Sequence, residues 1–191
     1  KAGLLTASAV PLEAEYKQFL DGTGFDYRKD LDEVTASFSK SGNFFIARGR
    51  FNWRKLRDYA AKQGGSCYQD LCRMQGSQPD RRISFLPLES DEMALAVSTD
   101  DLAANRLAKP GAAVKTDLPS APVWVLVPGS MLRESAVMPP GMALMLSAMK
   151  SADRLVVTVS PSGNALAAKM EATCQTQDDA KVLASQLRIV T

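Results

Sequence analysis

The sequence predicts an α+β protein with a largely antiparallel sheet and helices packed on one face. Three hairpin patterns indicate this class: pairs of apolar, strand-like runs are joined by short turn-forming stretches near residues 34–51, 82–98 and 154–174. Helical patterns separate the hairpins, which gives a helix, hairpin, helix, hairpin rhythm. Two ferredoxin-like halves would account for this rhythm, and so would one continuous curved sheet.

The helices are predicted from apolar residues that recur at helical spacing between capping and stop signals. Asn52 and Thr99 are the first residues of two of these stretches and are predicted to be their N-caps. The five predicted helices cover residues 11–24, 52–65, 99–109, 139–152 and 175–190. A further apolar run, VWVLVPG at 123–129, is typical of a central strand. Residues 64–81 are predicted to form a loop.

A stretch rich in Pro, Gly and Ala marks the candidate domain boundary. We place a connector at residues 109–120, between an N-terminal α+β half at 1–108 and a C-terminal α+β half at 121–191. A single continuous domain is the alternative.

The composition is that of a folded chain with balanced charge. Of 191 residues, 46% are hydrophobic, which is enough for a packed core. Lys and Arg total 23 against 21 Asp and Glu, so no large field draws the whole protein to nucleic acid or acidic membranes. No apolar run reaches the roughly 18 residues that a membrane-spanning helix needs. Because the chain begins at Lys1 and KAGLLTASAV is a poor signal peptide, we expect a processed precursor.

Histidine is absent from the sequence, which removes the usual proton shuttle near neutral pH and the commonest metal ligand. Catalysis by Ser-His-Asp or Cys-His groups and zinc sites that contain His are therefore excluded within this chain. We expect no catalytic residue of these classes, no metal site and no cofactor.

The three cysteines, Cys67, Cys72 and Cys174, are too few for a four-thiolate metal site. Cys67 and Cys72 flank YQDL, and a disulfide between them is geometrically possible if the segment folds back on itself. Such a bond would fit an oxidising compartment. Three free or buried thiols are the alternative.

Two neighbouring stretches, TGFDYRKDLDEV at 23–34 and FFIARGRFNWRKL at 44–56, carry a longer pattern. It runs from a Gly-hydrophobic-Asp turn through a basic strand entry to an apolar strand that ends in Arg-Gly-Arg-Phe before a helix. The pattern resembles one in a family of uncharacterised bacterial proteins predicted to be exported. The resemblance implies a periplasmic, cell-envelope or secreted location and a non-catalytic role. Its motif is structural, and it assigns no functional residue.

Nucleic-acid or small-ligand binding has one candidate surface. Strand alternation places Phe44, Arg48 and Arg50 on one face, where an aromatic ring beside arginines could stack on a base, and Trp53 follows at the start of a helix. Neighbouring strands supply only isolated aromatics, and the net charge of +2 is small, so nucleic acid is a disfavoured partner. The favoured interpretation is a solvated strand end whose arginines pair with upstream acids: Asp26, Asp30, Asp32 or Glu33.

A methionine-rich stretch contains Met142, Met145 and Met149 at helical spacing. This spacing favours a core stripe. Because Met is also used in adaptable binding surfaces and thioethers bind copper(I), a groove for a peptide or a lipid and a soft-metal surface are the alternatives.

Three functional hypotheses follow. The first is a non-enzymatic binding or scaffolding domain of a bacterial envelope or secreted protein, with a protein or peptide partner and a surface near the Met-rich helix and residues 64–81. The second is a nucleic-acid or small-ligand module that uses Phe44 and the neighbouring basic stretch. The third is a His-independent hydrolase built on Ser147 and Lys150 of SAMK, although Ser147 falls late in an apolar helix rather than at a helix start.

Overall fold

The computed structural model describes residues 14–76, 78–109, 118–133 and 149–190. Within these ranges the helices are α1 (Ala14–Thr23), α2 (Tyr27–Asp30), α3 (Trp53–Lys62), α4 (Asn105–Ala108), α5 (Gly129–Arg133) and α6 (Gln177–Val190), with a 3₁₀ turn at Met149–Ser151. The strands are β1 (Leu31–Ser39), β2 (Gly42–Gly49), β3 (Ser66–Tyr68), β4 (Leu71–Gln75), β5 (Arg82–Glu89), β6 (Glu92–Ser98), β7 (Val123–Pro128), β8 (Ala152–Ser162) and β9 (Ala165–Cys174).

The chain divides into two compact units, Gly3–Lys115 and Thr116–Thr191, and each has its own sheet. In the first unit six strands lie in the order β1-β2-β6-β5-β4-β3, and in the second three lie in the order β7-β8-β9. This confirms the predicted α+β class with a largely antiparallel sheet. The predicted connector at 109–120 falls largely outside the described residues.

The three predicted hairpins are confirmed as β1–β2, β5–β6 and β8–β9. Each turns within two residues: Lys40-Ser41, Ser90-Asp91 and Gly163-Asn164. Gly163 has φ +58°, a conformation that glycine adopts without a steric cost. Alternating apolar runs joined by polar turn residues therefore sufficed to locate these pairs.

Neither sheet is ferredoxin-like, which corrects that part of the prediction. In a ferredoxin-like half, the two strands joined by each βαβ connection are separated in the sheet by one antiparallel strand. The described pairings are likewise antiparallel, but β2 and β3 are separated by three strands, and the strands of the second sheet lie in sequential order. In the first unit α3 carries the chain from β2 to β3, which lies at the far edge of the sheet, and β6 returns to pair with β2.

The predicted loop at 64–81 contains a fourth hairpin, which sequence reasoning missed. Strands β3 and β4 pair through a turn at Gln69 and Asp70, and Cys67 lies directly opposite Cys72. These two cysteines form a disulfide. Because β4 also pairs with β5, the hairpin extends the sheet rather than lying apart from it.

The helix predicted at 99–109 is shorter in the structure. Only Asn105–Ala108 is helical, and the N-cap position is Ala104, not Thr99. Ala104 is fully buried, and its backbone N–H donates to Ser84 Oγ at 3.1 Å. Packing on the sheet therefore overrides the local helical pattern. By contrast, Asn52 caps α3 as predicted, accepting the Lys55 N–H at 3.1 Å.

The run VWVLVPG forms β7, which lies at the edge of the three-stranded sheet rather than at its centre. The side chains of Val123 and Val125 are 45% and 53% exposed. An apolar strand pattern alone does not distinguish a central strand from an edge strand with one partly buried face.

Both faces of the six-stranded sheet are packed. On one face, Phe85 and Met93 contact Leu56 and Ala60 of α3, and Phe19 of α1 joins them. On the other face lies the 99–108 segment. Its buried Ala103 and Ala104 pack with Leu86, Ala94 and Ala96 in a small core. The predicted packing of helices on one face thus holds for α1 and α3, while α4 lies on the other.

The second unit has a separate core. Leu132 of α5 and Leu183 of α6 pack against Leu155 of β8, together with Met149 and Ala152. Met149 is fully buried, as expected of a core methionine, whereas Met142 and Met145 lie outside the described residues.

Candidate functional site

The sequence-predicted basic surface is divided between two faces of the sheet. Phe44 and Arg48 share a face, as strand alternation predicts, and Phe44 packs beside the 99–108 segment. The Arg106 guanidinium lies 6.0 Å from the Phe44 ring centroid, within cation–π distance. Trp53 packs with the α3 core on the opposite face, and its Nε1 donates to the Ser90 carbonyl at 3.0 Å.

The two arginines of this surface are ion-paired. Arg48 lies 3.2 Å from Glu92 and 3.9 Å from Glu33, and Arg50 lies 3.3 Å from Asp30. Glu33 and Asp30 are among the partners that the sequence predicted. Exposed pairs of this kind stabilise the fold little. Their carboxylates nevertheless neutralise the positive charge that would attract a polyanion. Phe44, Arg48, Arg50 and Trp53 do not converge on one site.

The stretch that carries the family resemblance forms a buried carboxylate cluster. Asp26 is 7% exposed and is the N-cap of α2, accepting the Arg28 N–H at 3.1 Å. The Arg28 guanidinium donates to both Asp26 oxygens, at 2.9 and 3.0 Å, and Tyr16 Oη donates to one of them at 3.2 Å. The hydrogen bonds from Arg28 are the main reason that the pKa of Asp26 falls from 3.8 to about 2.

Asp30 and Arg50 link the two stretches of that motif. The Arg50 backbone N–H donates to the Asp30 carbonyl at 2.8 Å, and the Asp26 N–H donates to the Asp30 carboxylate at 2.9 Å. Gly49 lies directly opposite Leu31 in the sheet. The motif residues therefore join α2 to the end of β2. Both carboxylate oxygens of Asp26 accept structural hydrogen bonds.

A groove on the face that carries the 99–108 segment is the strongest candidate binding site. We call it the hairpin groove. Its apolar end is a depression of about 410 Å³. The lining residues come from the β3–β4 hairpin, β5 and the 99–108 segment: Tyr68, Gln69, Asp70, Leu71, Arg73, Leu86, Leu102 and Asn105. Tyr68 is 77% exposed at the rim and Leu86 is buried at the floor.

Arg73 separates this depression from a second one of about 210 Å³. The second depression is more polar and contains Arg73, Arg82 and Asp101. Arg73 donates to Asp101 at 3.0 Å and to Ser66 Oγ at 3.1 Å. Among the described residues Arg82 has no ion-pair partner, so this end of the groove carries a net positive charge.

Each wall of the hairpin groove is held by a covalent or a buried contact. The Cys67–Cys72 disulfide closes the β3–β4 hairpin, whereas the exposed pair of Arg57 with Asp70 at its tip, 2.7 Å apart, adds little. The buried Ser84 hydroxyl holds the other wall through the Ala104 N–H. A site whose walls are held in this way loses little conformational entropy when it binds.

Sequence reasoning placed a binding surface near residues 64–81 but did not find the hairpin or the groove residues. A signal for the hairpin existed: in CYQDLC the cysteines flank a four-residue segment that a two-residue turn would close. Ser147 of the predicted Ser147 and Lys150 pair lies outside the described residues.

Comparisons with known proteins give no match: no family model fits the chain, and neither a curated protein nor a solved structure is significantly similar. None of the described helices has the length and apolar character needed to cross a membrane. In the described ranges, no three His, Cys, Asp or Glu side chains come together as a metal ion would require.

Proposed function

We propose that this chain is a non-enzymatic binding domain of a bacterial envelope or secreted protein, and that it binds a segment of a partner protein in the hairpin groove. The observation that carries the proposal is the depression beside Tyr68, with its apolar floor and two fixed walls. Exposed tyrosine and arginine beside an apolar pocket are typical of residues that dominate protein-binding energy.

The chemistry of the groove suggests the kind of segment it binds. Leu71, Leu86 and Leu102 favour an apolar or aromatic side chain in the larger depression. Arg73 and Arg82 favour a carboxylate nearby, because a guanidinium binds a carboxylate through two hydrogen bonds. We therefore expect a short peptide segment with one large apolar residue followed or preceded by an acidic one.

Peptide selection with matched variants tests this proposal. Peptides selected on the wild-type chain from a random library should bind at least about tenfold more weakly to Leu102→Asp, because a charge then lies against the apolar depression. Leu102 is 45% exposed, so the variant should fold. Val182→Asp is the control, since Val182 is 53% exposed on α6 and lies in the other unit.

The outcomes are distinguishable. Selected peptides that match the apolar-plus-acidic pattern and lose affinity for Leu102→Asp, but not for Val182→Asp, support the groove. Peptides that bind all three proteins equally, or a selection that enriches none, would contradict it.

The envelope or secreted location rests on the resemblance and on the disulfide, since structural disulfides persist in oxidising compartments. For protein prepared from its native compartment, we expect one titratable thiol per chain before reduction and three after. The protein must be unfolded for the measurement, because burial raises the pKa of the Cys174 thiol and slows its reaction. Three thiols before reduction would contradict the proposed location.

A further inference from the structure

Strand β1 lies at the end of the six-stranded sheet, and no other described strand pairs with its outer edge. Within the described residues it pairs only with β2, along one side. Every residue from Asp32 to Ser39 is exposed. Natural proteins commonly protect such an edge, because its unpaired N–H and C=O groups can pair with another strand.

The exposed face of β1 is apolar at alternate positions. Val34 is 46% exposed and Phe38 is 58% exposed, with Ala36 between them. Phe38 packs edge-on against Phe45 of β2, with ring centroids 5.9 Å apart. The apolar surface therefore continues from the interior of the sheet to its edge, which is typical of an interaction surface.

The regular part of β1 is symmetric about its middle residue. A β-bulge between Leu31 and Glu33 interrupts one end, and the turn at Lys40 ends the other. The uninterrupted run is thus 33–39, whose centre is Ala36.

We propose that β1 pairs with β1 of a second copy of this chain, antiparallel and with Ala36 opposite Ala36. In this register Val34 of each chain faces Phe38 of the other on the same side of the joined sheet. An isologous contact of this kind needs one strand to match itself, and the alternating apolar residues of 33–39 do so.

The register predicts a site-specific cross-link. In a Cys174→Ser background, which leaves no other free thiol, Ala36→Cys should form an intermolecular disulfide under mild oxidation, because directly opposed residues lie within disulfide reach. Ser39→Cys is the control on the same strand. In this register the two Ser39 positions are six residues apart along the pair, about 20 Å, so this variant should stay monomeric under the same conditions.

A second measurement does not depend on cysteine. Sedimentation of the wild-type chain should show a concentration-dependent dimer. Phe38→Lys should raise its dissociation constant by on the order of tenfold or more, because a charge on the apolar face opposes edge pairing. Val182→Lys and Leu102→Asp should leave the dimer intact, which separates this contact from the hairpin groove.

Selective cross-linking of Ala36→Cys together with dissociation by Phe38→Lys supports the proposal. Equal cross-linking of Ala36→Cys and Ser39→Cys, a wild-type chain that stays monomeric at the highest attainable concentration, or a dimer that Phe38→Lys leaves unchanged would overturn it.

Discussion

The variant Gly49→Ala should lower the free energy of unfolding by about 3 kcal/mol or more. Gly49 is buried at the end of β2, where it packs against the junction between α2 and β1. A Cβ at this position would lie deep inside van der Waals contact of the Asp30 carbonyl and 3.1 Å from Leu31 Cα. Both are backbone atoms held by the sheet, so the clash cannot be relieved by a side-chain rotation. Urea unfolding, followed by circular dichroism, measures the loss.

Gly64→Ala is the matched control for this variant. Gly64 has φ +73°, and a Cβ there would meet nothing within 4 Å. Its substitution should therefore cost only the conformational strain of the left-handed region, about 1 kcal/mol. An equal loss of stability in Gly49→Ala and Gly64→Ala would contradict the close approach of Gly49 to the backbone of Asp30 and Leu31.

Asp26→Ala should have the second large effect, a loss of about 2 to 3 kcal/mol at pH 7. The change removes the N-cap of α2, the acceptor for Tyr16 Oη and the partner of Arg28. Asp26→Asn retains a capping oxygen and should lose less. Asp178→Asn is the control: Asp178 is exposed and, among the described residues, pairs only with Lys181, so its change should stay within about 0.5 kcal/mol.

The same carboxylate gives a pH signature. The pKa of Asp26 is about 2 in the folded chain against an ordinary value of 3.8, so the unfolded chain binds the proton more readily. Its stabilisation is therefore fully present above pH 3.8 and is lost as the pH falls from there towards 2. Wild-type stability should fall in this window more steeply than that of Asp26→Asn. Parallel curves for the two proteins would contradict the ion pair of Asp26 with Arg28.

Local pattern predicted those parts of the fold that local forces determine. The three long hairpins alternate in hydrophobicity and have polar turns, and Asn52 caps α3 through its own side chain. The missed β3–β4 hairpin has strands of only three and five residues, which are too short to show a clear alternating pattern. Its cysteine spacing was a local signal, but its pairing with β5 is a contact between distant residues that a short window of sequence does not show.

The candidate site depended on contacts between residues that are distant in the chain. Alternation correctly placed Phe44 and Arg48 on one face, but the pairing of β2 with β6 brings Glu92 to Arg48, and this pairing could not be inferred locally. In the same way, the hairpin groove exists because Leu102 is brought to Tyr68 across the sheet. The sequence shows which residue types each strand carries, and the strand order determines which of them meet.

The most direct test of the proposed binding function is amide chemical-shift mapping of the isotope-labelled chain with a selected peptide. Binding in the hairpin groove predicts that the largest shifts fall in the segments 68–73 and 101–105, which contain most of the residues that line its apolar end. Shifts centred instead on Arg48 and Arg50, or confined to the second unit, would contradict the assignment of the groove as the binding site.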